Sequence, residues 1–149
     1  MKKTFIYAIT FIILGVVLGN YLEENPQAKS IFKEKDVYYF LQEGVYSSKD
    51  IMNENTKDIK NKAVIHDNDK YYVYVGISKN LEIAEKIKKI YEKEGYQIFL
   101  KEMSVNSKEF SNNLDQFDLL IKSSNTNDDI LKIEEVVLAN YEEIKENDK

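Results

Sequence analysis

Few residues in this chain could carry covalent or metal chemistry. His66 is the sole histidine and there is no cysteine, so a thiolate metal site cannot form and a His-based nucleophile triad has no support. Acidic residues number 26, and glycan hydrolysis needs two carboxylates about 5 to 10 Å apart. No such pair stands out by position, because Asp67, Asp69, Asp128 and Asp129 read as turn and cap residues. There is no glycine-rich phosphate loop. The expectation is therefore no metal, no cofactor and no catalysis. What remains is non-covalent chemistry on two tyrosine-rich stretches, 38–47 and 70–78.

These stretches are two copies of one pattern. Tyr38-Tyr39-Phe40-Leu41-Gln42-Glu43-Gly44-Val45-Tyr46-Ser47 aligns with Lys70-Tyr71-Tyr72-Val73-Tyr74-Val75-Gly76-Ile77-Ser78 at an offset of 32, set by Gly44 and Gly76. The same offset pairs Met52 with Ala84, Ile59 with Tyr91 and Ala63 with Gly95. A fixed offset marks a repeated supersecondary unit. Each copy reads strand, glycine turn, helix, strand, which predicts an α+β fold with the ferredoxin-like β-α-β-β-α-β order.

Strand one is expected at about 37–45 and strand three from Lys70. Alternation puts Leu41, Val73 and Val75 on a face under both helices, and Phe40, Gln42, Tyr72 and Tyr74 on an open face. The first helix, Ser48 to about Lys60, is weak because Asn53, Asn55 and Thr56 are modest helix formers. The second has Asn80 as N-cap, a stripe of Ile83, Ala84, Ile87, Ile90 and Tyr91, and Gly95 as its left-handed stop. Ala63-Val64-Ile65 gives strand two, Asp67-Asn68-Asp69 a turn, and Tyr96 to Lys101 strand four, whose phase Ile98, Phe99 and Leu100 leave open.

The Leu-Gln-Glu-Gly-Val-Tyr and Val-Tyr-Val-Gly-Ile-Ser segments resemble the SPOR domain, the sporulation-related repeat of bacterial envelope proteins. Met52 or Ala84 eight residues beyond each glycine, and a glycine closing the second helix, belong to the same resemblance. It covers about half the chain, residues 36–105. It implies a non-catalytic domain that binds peptidoglycan, chiefly septal glycan stripped of stem peptides, through the helix-free sheet face. By position it implies Gln42 and Val45 on strand one and Lys70 and Tyr72 on strand three as sugar-facing residues. Some relatives carry an aromatic residue and an arginine where this chain has Lys70 and Tyr72, and an apolar residue where it has Glu43. With Phe40 and Tyr74 of the same face, the candidate glycan site is Phe40, Gln42, Val45, Lys70, Tyr72 and Tyr74. Aromatic rings offer flat faces to sugar C–H groups, Gln42 both donates and accepts, and Lys70 matches a lactyl carboxylate.

Residues 1–22 read as a cytoplasmic N-terminus and transmembrane anchor. Thr4 to Leu22 is uncharged, long enough for the roughly 30 Å hydrocarbon core, and flanked by Lys2-Lys3 and Glu23-Glu24. That asymmetry places the rest of the chain outside the membrane. The run is long for a cleaved signal peptide and lacks a good small-x-small site. Gly15 and Gly19 have GxxxG spacing, though glycine is common in such helices anyway. Residues 23–35, with the only proline, form a tether. The overall charge is −5, all 21 basic residues being lysine, which argues against nucleic-acid binding even though the same topology builds RNA-binding sheets.

Residues 106–149 are expected to form two amphipathic helices. Phe110, Leu114, Phe117 and Ile121 make one stripe; Ile130, Ile133, Val137, Tyr141 and Ile144 make the other, behind a cap at Asn127 or Asp128. Each needs a partner. If they dock on the sheet, burial of Phe40 and Tyr72 under Phe110 and Phe117 favours an envelope scaffold that binds proteins through its repeat and tail. If the face stays exposed, sugar binding is favoured. The implied setting is cell division or sporulation at the cell membrane, with no protein partner specified.

Overall fold

A computed structural model of the chain describes residues 37–147. The order is β1 (Tyr38–Tyr46), α1 (Lys49–Asn55), β2 (Ala63–Asp67), β3 (Lys70–Ser78), α2 (Leu81–Lys93), β4 (Phe99–Met103), α3 (Lys108–Ser123) and α4 (Asn127–Asn147). The four strands form one antiparallel sheet in the order β2-β3-β1-β4. This is the expected α+β fold, with the β-α-β-β-α-β order and two further helices. The anchor and tether, residues 1–35, lie outside the described residues. Among the described residues no helix is long and apolar enough to cross a membrane.

The repeat holds at 32 through β1/β3 and α1/α2 and then breaks, for β2 starts at Ala63 and β4 at Phe99. Strand four is thus later than the expected Tyr96 to Lys101, because Gly95 to Ile98 are spent on the helix exit. Gly95 takes φ +93°, the left-handed conformation a side chain resists. Helix α1 stops at Asn55 rather than near Lys60. The Thr56 hydroxyl and Asn55 amide donate back to the carbonyls of Met52 and Ile51, both at 2.8 Å, which competes with continuation of the helix. Helix α2 matches expectation, with the Asn80 side chain accepting from the amides of Glu82 and Ile83 and its whole apolar stripe buried.

Gly44 and Gly76 do not make turns. Both lie inside strands, beside irregularities in the β1–β3 register between Leu41 and Gln42 and between Gln42 and Gly44. At Gly76 a side chain would meet Ile87 of α2, Glu134 of α4 and Leu41 within 3.1 to 3.4 Å. Glycine there lets two helices approach the strand. The Asp67–Lys70 connection is the expected tight turn, with Asn68 and Asp69 both at positive φ.

The tail helices dock on the sheet. Helix α4 packs against β2, β3 and α3. Tyr141, 1 % exposed, sits edge-on to Phe40 at 4.9 Å between ring centroids and near Phe110 at 5.8 Å. Ile130, Ile133, Val136, Val137 and Leu138 are buried with it. Helix α3 stacks Phe110 on Tyr38 and buries Leu114, Phe117 and Leu119 to Ile121. Its cap is Ser107, while α4 is capped by Thr126, whose hydroxyl accepts from the Asp129 amide, not by Asn127 or Asp128. Ile144 ends the α4 stripe half-buried.

Strand β3 outruns its neighbour. Pairing with β2 ends at Ala63–Tyr74, leaving the last part of β3 without a strand on that side. Two carboxyl groups from the tail take over. Glu134 of α4 accepts from the Ile77 amide at 3.0 Å, and Asp118 of α3 accepts from the Lys79 amide at 2.9 Å and the Ser78 hydroxyl at 2.7 Å. Both side chains are fully buried. Burial pushes Asp118 up to about 7, with the Asp115 charge adding to it and the bonds from Ser78 and Lys79 opposing. Burial raises Glu134 too, as does the charge of Asp118, against the Ile77 bond. Asp115 itself pairs with the Lys79 ammonium at 2.7 Å.

An acid raised in the folded state stabilises fully below its unfolded pKa and loses that contribution as pH climbs through its folded value. Stability in urea should therefore fall from about pH 4 to about pH 7, by up to about 4 kcal/mol for Asp118, with Glu134 acting in the same direction. Asp118→Asn should flatten that part of the profile. Tyr141→Ala should cost about 3 to 5 kcal/mol in the same assay with an unchanged denaturant slope, as expected for a large core truncation. A drop below about 1 kcal/mol would mean that α4 is not part of the core.

Candidate functional site

The register gathers the expected site residues on one sheet face. Directly opposed pairs are Phe40–Ile77, Gln42–Tyr74 and Val45–Tyr72 across β1 and β3, and Asp67–Lys70 across β2 and β3. Simple alternation would put Val45 on the face opposite Phe40 and Gln42. The irregularity between Gln42 and Gly44 re-phases the strand and brings Val45 beside Tyr72. Tyr46 then turns to the other face, opposite Tyr71, where its hydroxyl donates to Glu43.

The face is divided. Its inner half is closed, contrary to the expectation of an open face: Phe40 is 0 % and Tyr74 4 % exposed. Both rings pack against Tyr141, whose aromatic edge satisfies them better than water would. The ring seen against both Phe40 and Tyr74 is Tyr141, with Phe110 beside it in contact with Tyr38 and Tyr141. Phe40 and Tyr74 therefore serve as core. The Tyr74 hydroxyl is directed at the Met103 sulfur at 3.7 Å, and its pKa is raised, chiefly by burial, with Tyr72 and Asp67 adding to it.

The outer half is accessible. Val45 is 42 % exposed, Gln42 and Tyr72 are half-buried, and Lys70 is exposed. Strand β4 extends the strip with Phe99, which lies opposite Gln42 and is 45 % exposed, and with exposed Lys101 opposite Phe40. These two were missed in the sequence because the run of three apolar residues from Ile98 hid the phase of strand four. Ile98 is the buried one.

Beyond Tyr72 the strip drops into a cleft of about 530 Å³. Its sheet side is Val64 to Asp67, Tyr72, Tyr74 and Met103, and its helix side is Tyr141, Glu142, Lys145 and Glu146 of α4. Glu142 is fixed there by accepting the Val64 amide at 2.7 Å. Nothing in the repeat announced this second wall, since it comes from the end of the tail. The arrangement is a half-open aromatic surface leading into a polar-rimmed cleft, suited to holding a ring-bearing polar ligand by stacking and hydrogen bonds.

Asp118 and Glu134, whose acidity burial weakens, are fully buried and do not line the cleft. A substrate cannot reach them, so their shifted acidity belongs to folding. His66 stacks on Tyr71 at 4.5 Å, and among the described residues no group of acids and histidines could hold a metal. No protein-family model matches the chain, and neither the curated proteins nor the solved structures contain a significant match to it.

Proposed function

We propose that this chain is a membrane-anchored, non-catalytic protein of the bacterial envelope that binds peptidoglycan glycan strands, with residues 36–105 as a SPOR-like unit acting in cell division or sporulation. The observation that carries this reading is the accessible strip of Phe99, Gln42, Val45 and Tyr72, contiguous in register across β4, β1 and β3. Its rings and aliphatic groups suit the apolar faces of sugars, and Gln42 suits their hydroxyl and acetamide groups. Exposed Lys70 and Lys101 at the borders suit the lactyl carboxylates of a glycan without stem peptides. The uncharged run from Thr4 to Leu22 supports the anchor and an extracytoplasmic domain. Phe40 and Tyr74 take no part in contact on this reading; they hold the strip and the tail together.

A second reading, an envelope scaffold that binds other proteins through the SPOR-like unit and helical tail, is favoured by the burial of Phe40 and Tyr74 beneath Tyr141. One experiment separates the two. The full chain, purified in detergent, is incubated with amidase-treated and with intact peptidoglycan sacculi. Retention should be stronger on the denuded sacculi, and Tyr72→Ala should weaken it about tenfold, within the range of one lost aromatic contact. Gln42→Ala should weaken it less. Absence of retention on either material would overturn the glycan reading and leave the scaffold.

A further inference from the structure

The cleft has a charge that the open strip lacks. Three carboxylates, Asp67, Glu142 and Glu146, line it, against one ammonium, that of Lys145. The Lys145 ammonium lies 5.9 Å over the Tyr141 ring and Glu142 is engaged by the Val64 amide. Lys70 opposes Asp67 in the β2–β3 hairpin but is exposed and not part of the lining. His66 borders the cleft while its ring stacks on Tyr71. Of the three tyrosines in the lining, Tyr72 is half-buried and open to a ligand, while Tyr74 and Tyr141 are buried. Carboxylates around a cleft with apolar walls focus a negative potential into it.

We propose that this cleft selects a cationic amino sugar, a hexosamine unit of the glycan whose amine is free rather than acetylated. This rests on the glycan reading above and names the form of sugar the cleft prefers. The sugar ring lies against Tyr72, and the ammonium points to the rim, where Asp67 and Glu146 compensate its charge. An acetamide in the same place carries no charge to offset that of the two carboxylates. The volume lies within the range of about 300 to 1,000 Å³ common for small-ligand sites. Helix α4 is what creates the preference, since one of the two answering carboxylates sits on it.

The test is calorimetric titration of the full chain in detergent, at about pH 6 where an aliphatic amine is protonated. The ligands are a glucosamine tetrasaccharide, its fully N-acetylated counterpart and a short lysine peptide. The free-amine sugar should bind about five- to tenfold more tightly than the acetylated one, the scale of one or two partly exposed charge pairs. Asp67→Asn with Glu146→Gln should abolish that difference, whereas Glu109→Gln on α3, outside the cleft, should leave it intact. Equal affinity for the two sugars would overturn the selection while leaving glycan binding intact. Absence of binding by both would overturn the two proposals together. Tighter binding of the lysine peptide than of the amino sugar would also overturn the proposal, because charge alone would then suffice without the ring.

Discussion

The contact on which the rest of the molecule depends is that of Tyr141 with Phe40 and Tyr74. A four-stranded sheet with two helices on one face leaves a second apolar face, and in this chain that face starts with Tyr38 and Phe40 on a central strand. Leaving those rings in water would forfeit roughly 1.5 to 3 kcal/mol for each large side chain. Tyr141 removes that cost by entering edge-on, and it draws with it the buried stripes of α3 and α4. So many apolar side chains are buried along these two helices that they are part of the domain's core. The sheet therefore has one closed half, which is structural, and one accessible half, which is free to meet a ligand.

The same two helices solve a hydrogen-bonding problem. Strand β2 is only five residues long against nine in β3, and an amide left unpaired in a buried place costs about 1 to 3 kcal/mol. The protein supplies acceptors from the side, Glu134 and Asp118, rather than lengthening the strand. Asn61 repeats the idea in reverse, donating its side-chain amide to the Leu131 carbonyl of α4 at 2.8 Å. These bonds fix where α4 lies along the sheet, and so fix the wall of the cleft. Gly76 belongs to this arrangement as well, because a larger residue would stand where Glu134 and Ile87 converge.

Much of this was legible in the sequence, and the limits are physical. The stripe from Ile83 to Tyr91, the Asn80 cap and Gly95 foretold α2 because each acts within a few residues. The offset between Gly44 and Gly76 foretold two equivalent halves but misled about β4, since an offset carries no information on the loop inserted after α2. The end of α1 at Asn55 was foreshadowed by weak propensity, but its cause, two side chains bonding back to carbonyls, is visible only in three dimensions. Alternation alone would misplace Val45, because a bulge leaves no mark in a hydrophobic pattern. Phe40 and Tyr74 read as binding residues for the same reason that they are core: an aromatic ring on a sheet face suits a sugar and a tyrosine equally well. Only the position of Tyr141, more than 60 residues further along, separates the two.

The bond from the Val64 amide to Glu142 bears on how copies of the protein meet. An edge strand with free amides is a template for another strand, and unprotected edges lead to sheet-to-sheet aggregation. On β2 that template is spoiled by a carboxylate from the protein's own last helix, which takes a hydrogen bond an incoming strand would need. At the opposite edge, β4 is five residues long and carries exposed Lys101 and Glu102, the short and charged design that discourages strand addition. Both borders of the sheet are thereby guarded by different means, so copies of this domain brought close together would stay separate rather than knit into a continuous sheet.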